Sequence, residues 1–174
     1  MAEDKTLERR LAFLLLGIMA ARLLALWLNR TDLFFDEAQY WSWAQEPAFG
    51  YYSKPPLIAW LIGATTAVCG DGEACIRSAS PVLHTVTAWI IFLIGRQLYD
   101  SRVGFWSAIV YATLPGVSLS TGLISTDVPF LLLWALALWA FLRLSQTDRL
   151  GDALLLGVAI GAGFLARYSM SFFV

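Results

Sequence analysis

Long apolar runs separated by short polar breaks set the pattern of this 174-residue chain. Residues 11–28, 81–95, 103–119, 128–142 and 153–166 are nearly free of charge, and some extend into mixed flanks. A hydrocarbon layer about 30 Å thick is crossed by roughly 20 apolar residues in a helix. Runs this long and this frequent predict spanning helices rather than the core of a soluble bundle. The first span is expected over 11–28, the second over 78–97, the third over 103–120, the fourth over 127–144, and a fifth from Gly151 onward. The expected fold is therefore all-α, a polytopic transmembrane bundle of about five spans.

Composition sharpens this picture. The chain is 59% hydrophobic and only 14% charged, against roughly 25% charged for an ordinary soluble domain. The net charge is −1 and no basic patch stands out, so no nucleic-acid partner is expected; membrane lipids are. The N-terminal MAEDKTLERR leads into an apolar run that ends in LWLNRTD, without the small-residue cleavage site of a signal peptide. Arg22 lies inside that run, where it either snorkels or pairs with a carboxylate. Cys69 and Cys75 flank GDGEA, too far apart for a C-x-x-C motif. Two readings stand for them: a disulfide in an oxidising compartment, or two unpaired thiols near a membrane surface.

Orientation hinges on PPLIAWLIGATTAVC, residues 55–69, which is short for a span. With the N-terminus inside and 55–69 at the surface, seven basic residues fall inside and four outside. If 55–69 spans, the count becomes five inside and six outside, against the positive-inside bias. The surface layout is preferred. Residues 29–77 then form one outer loop, and Asp36, Glu37 and Asp127 fall on the outer side.

That loop contains FFDEAQYWSWAQEPAFGYYSKPPL, residues 34–57. An aromatic belt at the headgroup level with solvated acids is one reading. A site for a membrane lipid and a sugar is the other. Lys54, beside Pro55-Pro56, offers a point charge for a phosphate. A carboxylate can act as general base toward a hydroxyl. Tyr40, Trp41, Trp43, Tyr51 and Tyr52 offer flat faces for a sugar. Asp36 or Glu37 would supply hard oxygen to a metal. Asp127 opens the fourth span, capped by Ser125 or Thr126, with Pro129 in the first turn; favouring the helix dipole is its alternative role. His84 is expected to make a structural hydrogen bond between helices. Gly157, Gly161 and Gly163 read as a close-packing face.

FFDEAQYWSWAQEPAFGYYSKPPLIAW resembles the first outer loop of the GT-C glycosyltransferases, in particular the bacterial family-39 and family-83 enzymes. These include protein O-mannosyltransferase-like proteins and lipid A aminoarabinose transferases. Asp36-Glu37, then Tyr40, then Gly50-Tyr51-Tyr52-Ser53-Lys54-Pro55-Pro56-Leu57 carries the likeness. Thr126-Asp127-Val128-Pro129 and the stretch from Gly161 to Arg167-Tyr168 agree with it. The resemblance covers nearly the whole chain.

It implies a GT-C-like bundle with surface helices in the first outer loop. It implies inverting transfer of a sugar from a polyprenyl-phosphate donor to a lipid, glycan or protein acceptor. Asp36 maps to the catalytic base, Glu37 and Asp127 to supporting acids, and Lys54 and Arg167 to donor-phosphate binding. Beside them, Tyr40, Trp43, Tyr51, Tyr52 and Tyr168 are the candidate sugar or lipid contacts. The implied setting is a bacterial inner membrane, with the N-terminus cytoplasmic and the active loop periplasmic. Aminoarabinose transferases carry an acid, proposed as a metal ligand, directly before the lysine. Here it is Ser53, so no metal ligand is assigned and aminoarabinose is in doubt. Family members are considerably longer, so the chain reads as the N-terminal part of a GT-C domain. The rival reading is a non-catalytic lipid or solute transporter, for which polar residues or broken helices near mid-membrane would be expected.

Overall fold

The computed structural model describes residues 2–174, with side chains described from Asp4 onward. Helix α1 (Ala2–Leu28) starts earlier than the apolar run, because its charged first turns continue the same helix. Residues 29–77 hold three short helices: α2 (Phe35–Gln45), α3 (Leu57–Cys69) and α4 (Glu73–Arg77). Pro55 and Pro56 lead into α3, and Gly70, at φ 89°, ends it in a conformation suited to glycine. Cys69 and Cys75 are joined by a disulfide across that turn. Helix α4 runs almost directly into α5 (Ala79–Leu98).

The remaining elements form two helical hairpins. Helix α5 turns into α6 (Ser101–Thr113), whose start is capped by Asp100 accepting from the Arg102 and Val103 amides, both at 2.8 Å. A short α7 (Pro115–Ser120) follows. Helix α8 (Asp127–Thr147) then folds back on α9 (Leu150–Ala166), which ends in a 3₁₀ turn (Tyr168–Phe173). The α8–α9 bend is held by Asp152, which accepts from Arg143 Nε at 2.7 Å and from the Thr147 hydroxyl at 2.8 Å. Helix α5 is the hub and packs against α1, α6 and α8.

Three stretches, Asp4–Leu28, Glu73–Leu98 and Asp127–Thr147, are long and apolar enough to cross a membrane. The expected third span is instead divided at Leu114, because Pro115 has no N–H to continue the α6 ladder. The expected fifth span is the shorter apolar α9, of 17 residues. Phe13, Trp27, Trp106 and Val158 stand exposed on outward faces, the surface that acyl chains would cover.

Helix α3 is 13 residues long, about 20 Å at 1.5 Å per residue and shorter than the hydrocarbon layer. Arg77, just before α5, reaches the Thr31 carbonyl just after α1, at 3.1 Å. Residues 29–77 therefore leave and rejoin the bundle at one end, with no net crossing. Their core packs Tyr40, Ile58, Ile62 and Ile76 against Ile124 from the α7–α8 connection.

Close helix packing falls elsewhere than expected. Gly157 and Gly161 face open space, and Gly163 meets the Met170 side chain of the 3₁₀ turn. The tight crossing is α5 on α6, where a Cβ added at Gly104 would lie 2.5 Å from the Phe92 carbonyl oxygen and one at Gly95 would lie 2.7 Å from the Gly104 Cα. Backbone cannot yield as a flexible side chain would. Gly104→Val should cost about 1–3 kcal/mol of stability by overpacking, whereas Gly157→Val should be close to neutral. Unfolding of both variants in detergent micelles checks this, and equal midpoints would remove the α5–α6 contact as the tight point.

Candidate active site

One end of the bundle collects most of the residues singled out above, and its centre is a buried ion pair. The Phe34–Glu37 spacing starts α2 with half a capping box: Glu37 Oε2 accepts from the Phe34 amide at 3.0 Å. An adjacent residue points about 100° away around a helix, so Glu37 turns inward while Asp36 turns out. Glu37 is 2% exposed. Its Oε2 also accepts from Arg77 Nη2 at 2.7 Å, and its Oε1 accepts from Arg77 Nε and the Ile124 amide, each at 2.9 Å. Arg77, equally buried, spends its other protons on the Thr31 and Asp32 carbonyls, at 3.1 and 2.9 Å. Burial pushes the Glu37 carboxyl up, but the Arg77 guanidinium and the two amides outweigh it and hold the group below its ordinary value. Glu37, expected as a supporting acid, is thus a structural tie with its oxygens occupied.

Asp36 is exposed on the first turn of α2, and among the described residues its carboxylate takes no hydrogen bond. Four residues on, one helical turn along the same face, is Tyr40. Burial pushes the Tyr40 phenol up, the Asp36 charge adds to the shift, and Arg167 opposes it. Tyr40 therefore stays protonated. Arg167 lies in the extended break between α9 and the 3₁₀ turn and forms an ion pair with Asp127 at the start of α8. Met170, fully buried against Gly163, anchors the turn that presents Arg167.

The other expected residues divide. Trp43 and Tyr51 stack at 4.8 Å with planes 7° apart, and the Tyr51 hydroxyl donates to the Trp43 carbonyl at 2.9 Å. That stack fastens residues 46–54 onto α2 and covers one face of Trp43. Tyr52 is fully exposed and Tyr168 mostly so. Lys54 is half-buried, and no hydrogen bond or ion pair joins it to Asp36. Among the described residues no three His, Cys, Asp or Glu side chains cluster as metal ligands. Helix α8 begins as expected at Asp127, but neither the Ser125 nor the Thr126 hydroxyl caps it.

A second polar group lies deeper in the bundle. Among the described residues Arg22 pairs with no carboxylate. It donates to the Ala112 carbonyl at 2.5 Å and to the Ser118 hydroxyl at 3.1 Å, filling the break that Pro115 leaves between α6 and α7. His84 makes the structural bonds expected of it, Nδ1 to the Tyr111 hydroxyl at 2.8 Å and Nε2 to the Ser120 hydroxyl at 2.9 Å. These bonds fix α7 as one wall of a cavity of about 340 Å³ that reaches Asp127 and is shared with Phe130 and Leu131. Sequence reasoning missed the role of Arg77; the Phe34-x-x-Glu37 capping pattern was the available signal that Glu37 faces inward.

Comparison with known proteins gives the class: this chain is a GT-C glycosyltransferase by sequence. Residues 53–174 match the family described as dolichyl-phosphate-mannose-protein mannosyltransferase, and the chain belongs to it. It is 40% identical over 162 residues to a lipid A galacturonosyltransferase of Rhizobium johnstonii, covering 92% of this chain and 34% of that one. It is 29% identical over 174 residues to an undecaprenyl phosphate-alpha-4-amino-4-deoxy-L-arabinose arabinosyl transferase of Pseudomonas fluorescens, covering 90% of this chain and 30% of that one. Against a transferase of the same description from Pseudomonas aeruginosa it is 32% identical over 122 residues, 67% of this chain and 22% of that one. The chain thus spans about a third or less of the length of these relatives. No solved structure matches it.

Removing one partner of a buried ion pair costs about 3–5 kcal/mol. Glu37→Gln and Arg77→Met should each destabilise the protein by about that much, and the double variant Glu37→Leu/Arg77→Leu by clearly less than the sum. Additive losses in a micelle unfolding assay would show that the two side chains do not act as a pair. The lowered Glu37 group also sets a pH dependence. Its contribution is complete above its ordinary value near 4.5 and is lost as pH falls through the depressed folded-state value. The stability gap between the parent protein and Glu37→Gln should therefore close in acid; a gap unchanged down to about pH 2 would overturn this.

Proposed function

We propose that this chain forms the catalytic end of a membrane glycosyltransferase that moves a sugar from a polyprenyl-phosphate donor, with inversion, to an acceptor at the outer face. The observation that carries the reading is the convergence of Asp36, Tyr40, Asp127 and Arg167 at the end of the bundle where residues 29–77 leave and return. Asp36 is the free carboxylate and acts as general base, taking the proton of the acceptor hydroxyl. That oxygen bonds to the sugar's anomeric carbon as the carbon–oxygen bond to phosphate breaks, and the electron pair departs on the phosphate. Arg167 and Lys54 stabilise the departing charge, Arg167 by a forked contact and Lys54 as a point charge. Tyr40 donates beside them, and Tyr52 and Tyr168 offer exposed faces to sugar or lipid.

The relatives support the substrate class. Two are named for a sugar carried on undecaprenyl phosphate, and one is named a lipid A transferase. A lipid A-like acceptor is accordingly favoured over a protein, and family membership favours transfer over the transporter alternative. The disulfide Cys69–Cys75 supports an oxidising, periplasmic side for the loop, in a bacterial inner membrane with the N-terminus cytoplasmic.

Asp36→Asn keeps shape and removes the base. In the full-length protein it should lower transfer from polyprenyl-phosphate sugar by roughly 10²–10⁴ while leaving donor binding intact. Near-normal turnover of purified Asp36→Asn would sink the assignment. Lys54→Ala should weaken donor use, with Lys54→Arg keeping part of it; equal activity in all three would remove Lys54 from the site. For the orientation, a cysteine introduced at Ser53 should react with an impermeant maleimide applied to intact spheroplasts, and one at Ser145 only after lysis. The opposite labelling would invert the topology.

A further inference from the structure

Two arginines at this end of the bundle are paired with acids, and their surroundings make the pairs behave differently. The Glu37–Arg77 side chains are 2–3% exposed, so opening that pair would strand charge in the interior. The Arg167 and Asp127 side chains are 45% and 53% exposed. A solvated pair of that kind is worth about 0–1 kcal/mol and is readily exchanged for a better anion. A phosphate offers Arg167 more acceptor oxygens than a carboxylate and the same planar match to its fork.

The space around the pair is suited to such an exchange. On one side, a concave surface of about 370 Å³ is lined by Phe130, Leu131, Trp134 and Phe172, with Arg167 as its cation. An apolar trough with one guanidinium fits an isoprenyl chain ending in phosphate. On the other side, sharing Phe130 and Leu131, lies the cavity of about 340 Å³ that holds Asp127, His84 and Ser120. Asp127 borders that cavity and Arg167 the trough, so the ion pair straddles the ridge between them.

We propose that the Asp127–Arg167 ion pair is a latch that isoprenyl phosphate opens: the phosphate takes Arg167, and the Asp127 carboxylate is released toward the cavity of His84 and Ser120. This rests on the donor reading above and goes beyond it. In the closed latch Asp127 is a competitor for the donor's arginine, so Arg167 is compensated while the site is unliganded. Donor binding then also sets free a carboxylate on the neighbouring side, where a hydroxyl-bearing second substrate can meet it.

The test is binding of farnesyl phosphate, farnesol and inorganic phosphate to the full-length protein in nanodiscs by titration calorimetry. Removing a competing anion worth up to 1 kcal/mol should tighten farnesyl phosphate by about fivefold in Asp127→Asn. Arg167→Gln should weaken it at least about tenfold, the scale of a charge-assisted bond. In the double variant Asp127→Asn/Arg167→Gln the fivefold gain should vanish. Arg167→Lys, which keeps the charge, should retain a preference for farnesyl phosphate over farnesol. Helix content and melting should match the parent throughout, since both side chains are solvated. If Asp127→Asn leaves affinity unchanged or weakens it while Arg167→Gln still weakens it, the latch is overturned and the donor site stands. If farnesyl phosphate binds no better than farnesol in every variant, or inorganic phosphate binds equally well, the lipid-phosphate reading falls, and the latch with it.

Discussion

A carboxylate and a guanidinium with almost no access to water must satisfy each other completely, and this end of the molecule is built around that requirement. Glu37 and Arg77 together bind the Phe34 and Ile124 amides and the Thr31 and Asp32 carbonyls. Those partners belong to the exit of α1, the start of α2 and the strap before α8, and Arg77 itself stands at the entry to α5. Hydrophobic contacts between Tyr40, Ile58, Ile76 and Ile124 fill the space around the pair, but they are not directional. The ion pair fixes which way α2 faces, and so sends Asp36 outward.

The same end keeps two kinds of charge. The buried pair gives rigidity because opening it is costly. The rim groups are solvated and lightly held, the condition for exchanging partners with a substrate. Deeper down, the break at Leu114–Pro115 leaves carbonyls without helical partners. Arg22 answers that demand, and His84 ties α7 to α5 through Ser120. Polar groups within the bundle are thus used to stabilise a discontinuous helix whose far side shapes the cavity beneath Asp127.

Much of the bundle was legible because the length of an apolar run carries the signal directly. Helices α5 and α8 begin and end close to where the runs do, and the two ends of residues 29–77 meet through Arg77 and Thr31. Pro115 lies within the apolar run from 103 to 119, and the length of a run does not register a residue that lacks an N–H. The GVAIGAG stripe suggested a tight interface that the structure places at Gly95 and Gly104, since small residues permit close approach without specifying where it happens. Asp36 and Glu37 could not be separated by composition: what distinguishes them is rotation about α2, set by an arginine 40 residues away in sequence. Tyr51 and Trp43 looked like free ring faces, and their mutual stacking depends on a loop path that local pattern does not encode.

The Glu37 carboxylate is completed by the Ile124 amide, 87 residues further along the chain. During synthesis at roughly 5–20 residues per second, Glu37 is exposed for several seconds before that amide emerges, with Arg77 arriving earlier. The α5–α6 and α8–α9 hairpins join near neighbours and can form as they appear. The acidic rim is therefore the last part of this end to assemble, and its geometry is reached only after the strap between α7 and α8 has been laid across α2.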